Sequence, residues 1–244
     1  MKKRLNFFIG HLFISVLMAL AVIILTFFIW YPSPLAKAVG VTHIFLILIA
    51  LDVVIGPLLG WLVYKEGKKT LKMDLTIIIF IQLLALLYGI HTIKQGRPVW
   101  VVFSIDQFEI VRANEVYNKN IKEAETKFQS FSLFRPKIIA VKLPQDLKIK
   151  ERLMFDEILK GISLSQRPEY YSDLDQVRAQ VKNRAQNINL LKRYNNKNIV
   201  NKTLKKYPQA TAFIPLKANA VDMTVLINQE KGEVVKIVDL RPWK

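Results

Sequence analysis

Three stretches of this chain, residues 7–30, 41–64 and 75–93, are almost wholly apolar over 24, 24 and 19 positions. A hydrocarbon core about 30 Å thick is crossed by about 20 helical residues. Buried helices of water-soluble domains seldom stay apolar for so long. Each run therefore predicts a transmembrane helix, and every other reading has to accommodate three spans. The first run also resembles a secretory signal, with Lys2, Lys3 and Arg4 before it and Ala36-Lys37-Ala38 after it. Signal cores are only about 7–15 residues long, so a retained anchor is the better reading. Trp30-Tyr31 suits a membrane interface, and Pro32 and Pro34 make the turn that follows.

Charge is segregated in the same way. Residues 1–93 carry 8 of the 36 Lys and Arg and 3 of the 19 acids, leaving residues 94–244 with a net charge of +12. The division predicts a membrane domain over 1–93 and an extracytoplasmic domain over 94–244, large enough for one core. Short-loop charge sets the orientation: the N-terminal flank and the loop Lys65-Glu66-Gly67-Lys68-Lys69-Thr70-Leu71-Lys72 are basic, whereas 31–40 holds only Lys37. Positive-inside bias puts the N-terminus and the lysine loop in the cytoplasm and everything after the third span outside.

After residue 98 the hydrophobic period changes to two. Val99, Val101, Phe103 and Ile105 share a face, and the phase slips at Asp106-Gln107, which marks a bulge or a strand end. A helix is expected over 118–131, a strand over 137–143 and a helix over 145–160 closed by Gly161. Leu174, Val177, Val181, Ala185, Ile188 and Leu191 step by three or four, predicting one long helix over 173–193 with Ser172 as its N-cap. A loop with a short helical piece over 195–207 precedes three strands, 211–217, 221–228 and 233–240, the last two joined by a hairpin containing Gly232. The fold class is a membrane protein: three N-terminal transmembrane α-helices followed by a small α+β domain.

Signals of catalysis are nearly absent. His11, His43 and His91 all lie in or beside the apolar runs, and the chain has no cysteine, so the extramembrane domain lacks the usual nucleophile–base pairs and zinc sets. Asp156-Glu157 are adjacent on a helix and do not face one another, while Asp173 and Asp175 read as helix-start acids. Gly67 and Gly232 are isolated, so there is no phosphate loop. No enzyme, metal or cofactor is expected. The basic excess suits anionic headgroups better than nucleic acid, because Lys192-Arg193 and Lys205-Lys206 are the only adjacent basic pairs after the third span.

One carboxylate breaks the apolar pattern. Asp52 lies midway along the second run, where a charge costs about 2.5–3.5 kcal/mol on insertion scales, so it should face protein rather than lipid. Gln82, near the middle of the third run, is its natural partner. Pro57 lacks an N–H and should free the Val53 carbonyl. Gly56 and Gly60 form a small-xxx-small pair that admits another helix. Asp52, Gly56, Pro57, Gly60 and Gln82 thus outline a polar notch. It either ties the second and third spans together or receives a helix from a partner; a proton path is disfavoured, since Asp52 is the only acid at that depth.

The chain resembles the type IV pilin accessory protein family in its three-span layout and in specific residues: Asp52 with Gly56-Pro57-Leu58-Leu59, Lys72-Met73-Asp74-Leu75, then Gln82-Leu83-x-Ala85-Leu86-x-Tyr88-Gly89. Arg97-Pro98-Val99-x-x-Val102-Phe103-x-x-Asp106-x-Phe108 and Ile110-Val111 continue it, with Gln107 where members carry arginine. The likeness is dense over 40–112, looser before it and limited to size and layout beyond. It implies the inner membrane of a Gram-negative bacterium, a periplasmic domain, and help in pilin assembly or pilus dynamics. It further implies a major pilin as partner alongside membrane lipid, with a homo-oligomer open, and a structural role for Arg97, Pro98, Phe103, Asp106 and Phe108 where the membrane and extramembrane parts join. Two other classes remain: a membrane-anchored periplasmic sensor or ligand-binding module, and a transporter fragment, which the first span with only Ser15 and Thr26 supports poorly.

Overall fold

A computed structural model describes residues 2–244. The chain forms two compact units: residues up to Ala36 with Gly40–Gly96, and Lys37–Val39 with Arg97–Lys244.

The first unit consists of three helices long and apolar enough to cross a membrane, α1 (Lys2–Trp30), α2 (Val41–Val63) and α3 (Leu71–Gln95). α1 and α2 pack antiparallel through small side chains. Ser15, Ala19, Val22 and Thr26 recur at helical spacing and are buried, whereas Leu5, Ile9, Phe13, Leu20 and Phe28 point outward. Phe7 stacks on Tyr64 with ring centroids 5.5 Å apart near one end of the pair, and Phe27 meets Phe45 edge-on at 4.8 Å near the other. Without a hydrophobic force between helices in lipid, close approach of small residues is what holds such a pair. The Tyr31 hydroxyl donates to the Ile93 carbonyl at 2.7 Å, tying α3 to the end of α1.

The second unit is an eight-stranded mixed sheet: β1 (Pro98–Ser104), β2 (Gln107–Arg112), β3 (Lys137–Val141), β4 (Tyr171–Ser172), β5 (Gln186–Asn187), β6 (Ala212–Lys217), β7 (Met223–Asn228) and β8 (Glu233–Val238). The strand order is β4-β3-β1-β2-β6-β7-β8, with β5 also pairing β6. β1 runs antiparallel to β2 and parallel to β3, and every one of its residues is buried, so both faces of this central strand are covered. The phase slip at residue 106 is a strand end: Ile105 and Asp106 form a tight turn, with Ile105 at φ 62°, a left-handed conformation that a β-branched residue rarely adopts. One part of the core gathers Trp100, Phe128, Ile139 and Tyr171 with α4 (Leu147–Lys160), which Gly161 closes at φ 67°. Another gathers Leu191, Val200, Phe213 and Leu226 with α6 (Lys197–Lys206).

Two expected helices are not formed. Residues 118–131 hold only two single-turn 3₁₀ segments, Ile121–Glu123 and Thr126–Phe128. The expected helix over 173–193 breaks into a 3₁₀ turn, α5 (Arg178–Arg184), β5, a second 3₁₀ turn and a last helical turn. Its apolar stripe does face inward, with Val177, Val181 and Leu191 buried. The backbone turns extended at Ala185 because Gln186 and Asn187 pair with Phe213 and Ala212 of β6. The Asn187 side chain then accepts from the Asn189 amide and starts a new turn, an asparagine competing with helix for the backbone. Ser172 is not an N-cap; it pairs with Ala140 in the sheet, and Asp173 forms an ion pair with Lys127 at 2.6 Å.

Candidate partner-binding site in the membrane helices

Asp52 lies in a π-helical stretch of α2, Ala50–Ile55, in which the Gly56 amide bonds to the Leu51 carbonyl five residues back. In that register the N–H that Pro57 lacks would have gone to the Asp52 carbonyl, not to Val53. Gln82 of α3 replaces it, its Nε2 donating to the Asp52 carbonyl at 3.2 Å. The sequence pairs Gln82 with the Asp52 carboxyl group; the structure pairs it with the Asp52 main chain. The π turn explains why: it leaves the Asp52 carbonyl without a helical donor, facing α3.

Gly56 makes this possible. A Cβ there would stand 1.5 Å from Gln82 Nε2 and 2.2 Å from its Cδ. Gly60, one turn on, receives α1 instead: a Cβ would lie 2.9 Å from Phe7 Cε1 and 3.3 Å from His11 Nδ1. The small-xxx-small pair is thus occupied by helices of this same chain. Gly89 of α3 plays the equivalent part against Leu48, whose Cδ1 would be 2.3 Å from its Cβ.

His11 joins the site unforeseen. Its ring interacts with the Gln82 side chain and with the Asp52 charge, and the spacing of Phe7 and His11 against Gly60 and Tyr64 brings it there. Its only sequence signal was a polar residue four positions after Phe7 on an otherwise apolar helix. Asp52 Oδ2 is buried and has no hydrogen-bond partner among the described residues, with His11 Nδ1 and Gln82 Oε1 buried beside it. Buried polar atoms are nearly always satisfied, so the unpaired Asp52 oxygen stands out. Beside them a cleft of about 150 Å³ runs between α2 and α3, walled by Leu48, Leu51, Ile55, Ile78, Ile81 and Leu86, with Asp52 and Gln82 in its lining. Leu51, Ile55, Leu59 and Ile81 expose 43–59% of their surface, so the cleft is open on its outer side.

The residues expected at the junction fall into two groups. Arg97 is buried, donates to the Ser132 carbonyl at 3.1 Å and lies over the Phe131 ring, beside buried Pro98 at the start of β1. Phe103 and Phe108 face each other across the hairpin with centroids 5.3 Å apart, and Asp106 is exposed at its turn. The length of β1, about 3.3 Å per residue over seven residues, separates the two groups. They do not make one site.

A second depression, of about 310 Å³, lies in the extramembrane unit among Glu109, Glu115, Ser163, Ser165, Gln166 and Asn219. Its central groups already pair with one another: Ser165 donates to Glu109 at 2.5 Å, the Ser163 amide to Gln166 at 3.0 Å, and Asn219 to Glu115 at 3.2 Å. It offers a ligand less than the membrane cleft does.

Fold and site together define a polytopic membrane protein with an appended α+β domain and a polar-lined cleft among its helices. The family described as "Fimbrial assembly protein FimB" matches residues 1–40. The fimbrial assembly protein of serogroup E1 from Dichelobacter nodosus is 32% identical over 187 residues, covering 74% of this chain and 72% of its own. The serogroup I protein of the same organism is 28% identical over 239 residues, covering 94% and 92%. The protein of serogroups C1 and C2 is 34% identical over 116 residues, covering 47% and 88%. No solved structure matches. The chain belongs to the fimbrial assembly protein family.

Proposed function

We propose that this protein is a non-enzymatic accessory factor of type IV fimbrial assembly in the bacterial inner membrane, and that its α2–α3 cleft holds the apolar helix of the fimbrial subunit before or during assembly. Family membership supports the role in assembly. The cleft supports the contact: it is apolar, open on its outer side, and lined in part by Gln82 and by Asp52, one of whose oxygens is buried and unpartnered. A subunit helix with a polar group at the matching depth would satisfy that oxygen while its apolar face covers Ile55 and Ile81. In this reading Lys2–Arg4 and the lysine loop are cytoplasmic and Arg97–Lys244 is periplasmic, where it meets the subunit's head.

The test is a photo-crosslinking residue at Ile81 in cells, since Ile81 is 59% exposed on the cleft wall. Adducts with the major fimbrial subunit are expected, and Asp52→Leu should leave the protein inserted while reducing both the adduct and surface fimbriae. Adducts only with lipid, with this chain or with a second copy of it would overturn the reading.

A further inference from the structure

α4 is amphipathic on the wrong side. Ile149 and Leu153 point inward to the core, as expected of a helix packed on a sheet. On the opposite face Leu147, Met154 and Ile158, spaced by seven and four, form a stripe flanked by Phe155 and Leu159. These five are 72%, 53%, 70%, 56% and 76% exposed. Scattered apolar residues on a surface need no explanation, but five large ones grouped on one helix face, with only Glu151 and Lys148 among them, do.

We propose that α4 is an in-plane membrane anchor, its outer stripe seated at the headgroup–acyl boundary of a bilayer containing anionic lipid. Charge is the first ground. Lys148, Lys150 and Arg152 lie beside the stripe, and residues 94–244 carry a net charge of +12, which draws the unit to an anionic surface. Shape is the second: the face is a protruding helix, the form that interfacial helices take. Connection is the third. β1 begins at Pro98, three residues after α3 ends at Gln95, so bilayer is always within reach of this unit. A second copy fits less well. One face of a fourteen-residue helix, about 21 Å long and about 10 Å wide, falls far short of the roughly 800 Å² per partner that a stable interface buries. Glu151 shares the stripe and limits the depth to the headgroup level, about 5–10 Å. This anchor is independent of the α2–α3 cleft and of what that cleft holds.

The chain has no cysteine, so a single introduced one is uniquely labelled. Full-length Ile158→Cys carrying a nitroxide is reconstituted at one copy per nanodisc, in phosphatidylcholine alone or mixed equally with phosphatidylglycerol. In the mixed discs the label should become several-fold more accessible to oxygen and less so to an aqueous nickel chelate. A label at Lys231→Cys should stay in water throughout. Combining Lys148→Glu, Lys150→Glu and Arg152→Glu should return the label at 158 to water with the circular dichroism spectrum unchanged. A label equally accessible to nickel in both lipids would overturn the proposal, as would seating indifferent to lipid charge and to the triple reversal. Protection seen only when two copies share a disc, or only with added fimbrial subunit, would assign the face to a protein and overturn it too.

Discussion

Replacing Gly56 with alanine tests the core of the membrane site. The added methyl would lie 1.5 Å from Gln82 Nε2, so Gln82 must swing away and give up its bond to the Asp52 carbonyl. Hydrogen bonds between membrane helices average about 0.6 kcal/mol and reach about 1.7. Overpacking adds about 1–3 kcal/mol, while alanine for glycine in a helix returns up to about 1 kcal/mol. The net expectation is a loss of about 1–3 kcal/mol. In a Gln82→Ala background the same methyl enters vacated space, and its cost should fall to nearly nothing or change sign. The cycle is measured as unfolding free energy of the four proteins in mixed micelles of increasing denaturing-detergent content. A Gly56→Ala cost that is the same with and without Gln82 would refute the steric and hydrogen-bonding account together, since both act through that one side chain.

Other perturbations follow from the same geometry. Gly60→Val should weaken α1–α2 packing by about 1–3 kcal/mol, because its Cβ meets Phe7 and His11; thermal denaturation in detergent reads it. Arg167 and Glu169 both have side chains at most 5% exposed, and Arg167 also binds Asp156 at 2.5 Å. Arg167→Met should therefore cost about 3–5 kcal/mol by stranding a buried carboxylate, and adding Glu169→Met should recover part of it in chemical unfolding. Burial alone would raise the Glu115 carboxyl, but hydrogen bonds from the Arg112 side chain and backbone, with its charge, hold it below the ordinary 4.5. A depressed carboxylate contributes stability above that value and loses it as pH falls through the lower folded one. Glu115→Gln should flatten the acid limb of a stability-against-pH curve.

The membrane architecture was legible because lipid imposes a one-dimensional rule: a run of about 20 apolar residues needs no tertiary partner to be recognised. The strands near 98–112 and 211–240 were legible for a similar reason, since alternation and turn residues are local. The helix expected over 173–193 failed because its stripe was real but its continuity was not. Gln186 and Asn187 are claimed by β6, a strand some 25 residues further along the chain, and no local pattern reports that.

For the site, residue types alone determined that Asp52 must be shielded by protein and that Gln82 and the two glycines lie at helix contacts, because an uncompensated charge in hydrocarbon is costly whatever the fold. The tertiary structure decided which atom each one meets. A single π turn leaves the Asp52 carbonyl to Gln82, while helix packing hands each glycine to a different helix of the same chain and brings in His11. Those outcomes depend on rotations of a few tens of degrees between neighbouring helices, and side-chain identity does not encode such rotations until the helices are packed.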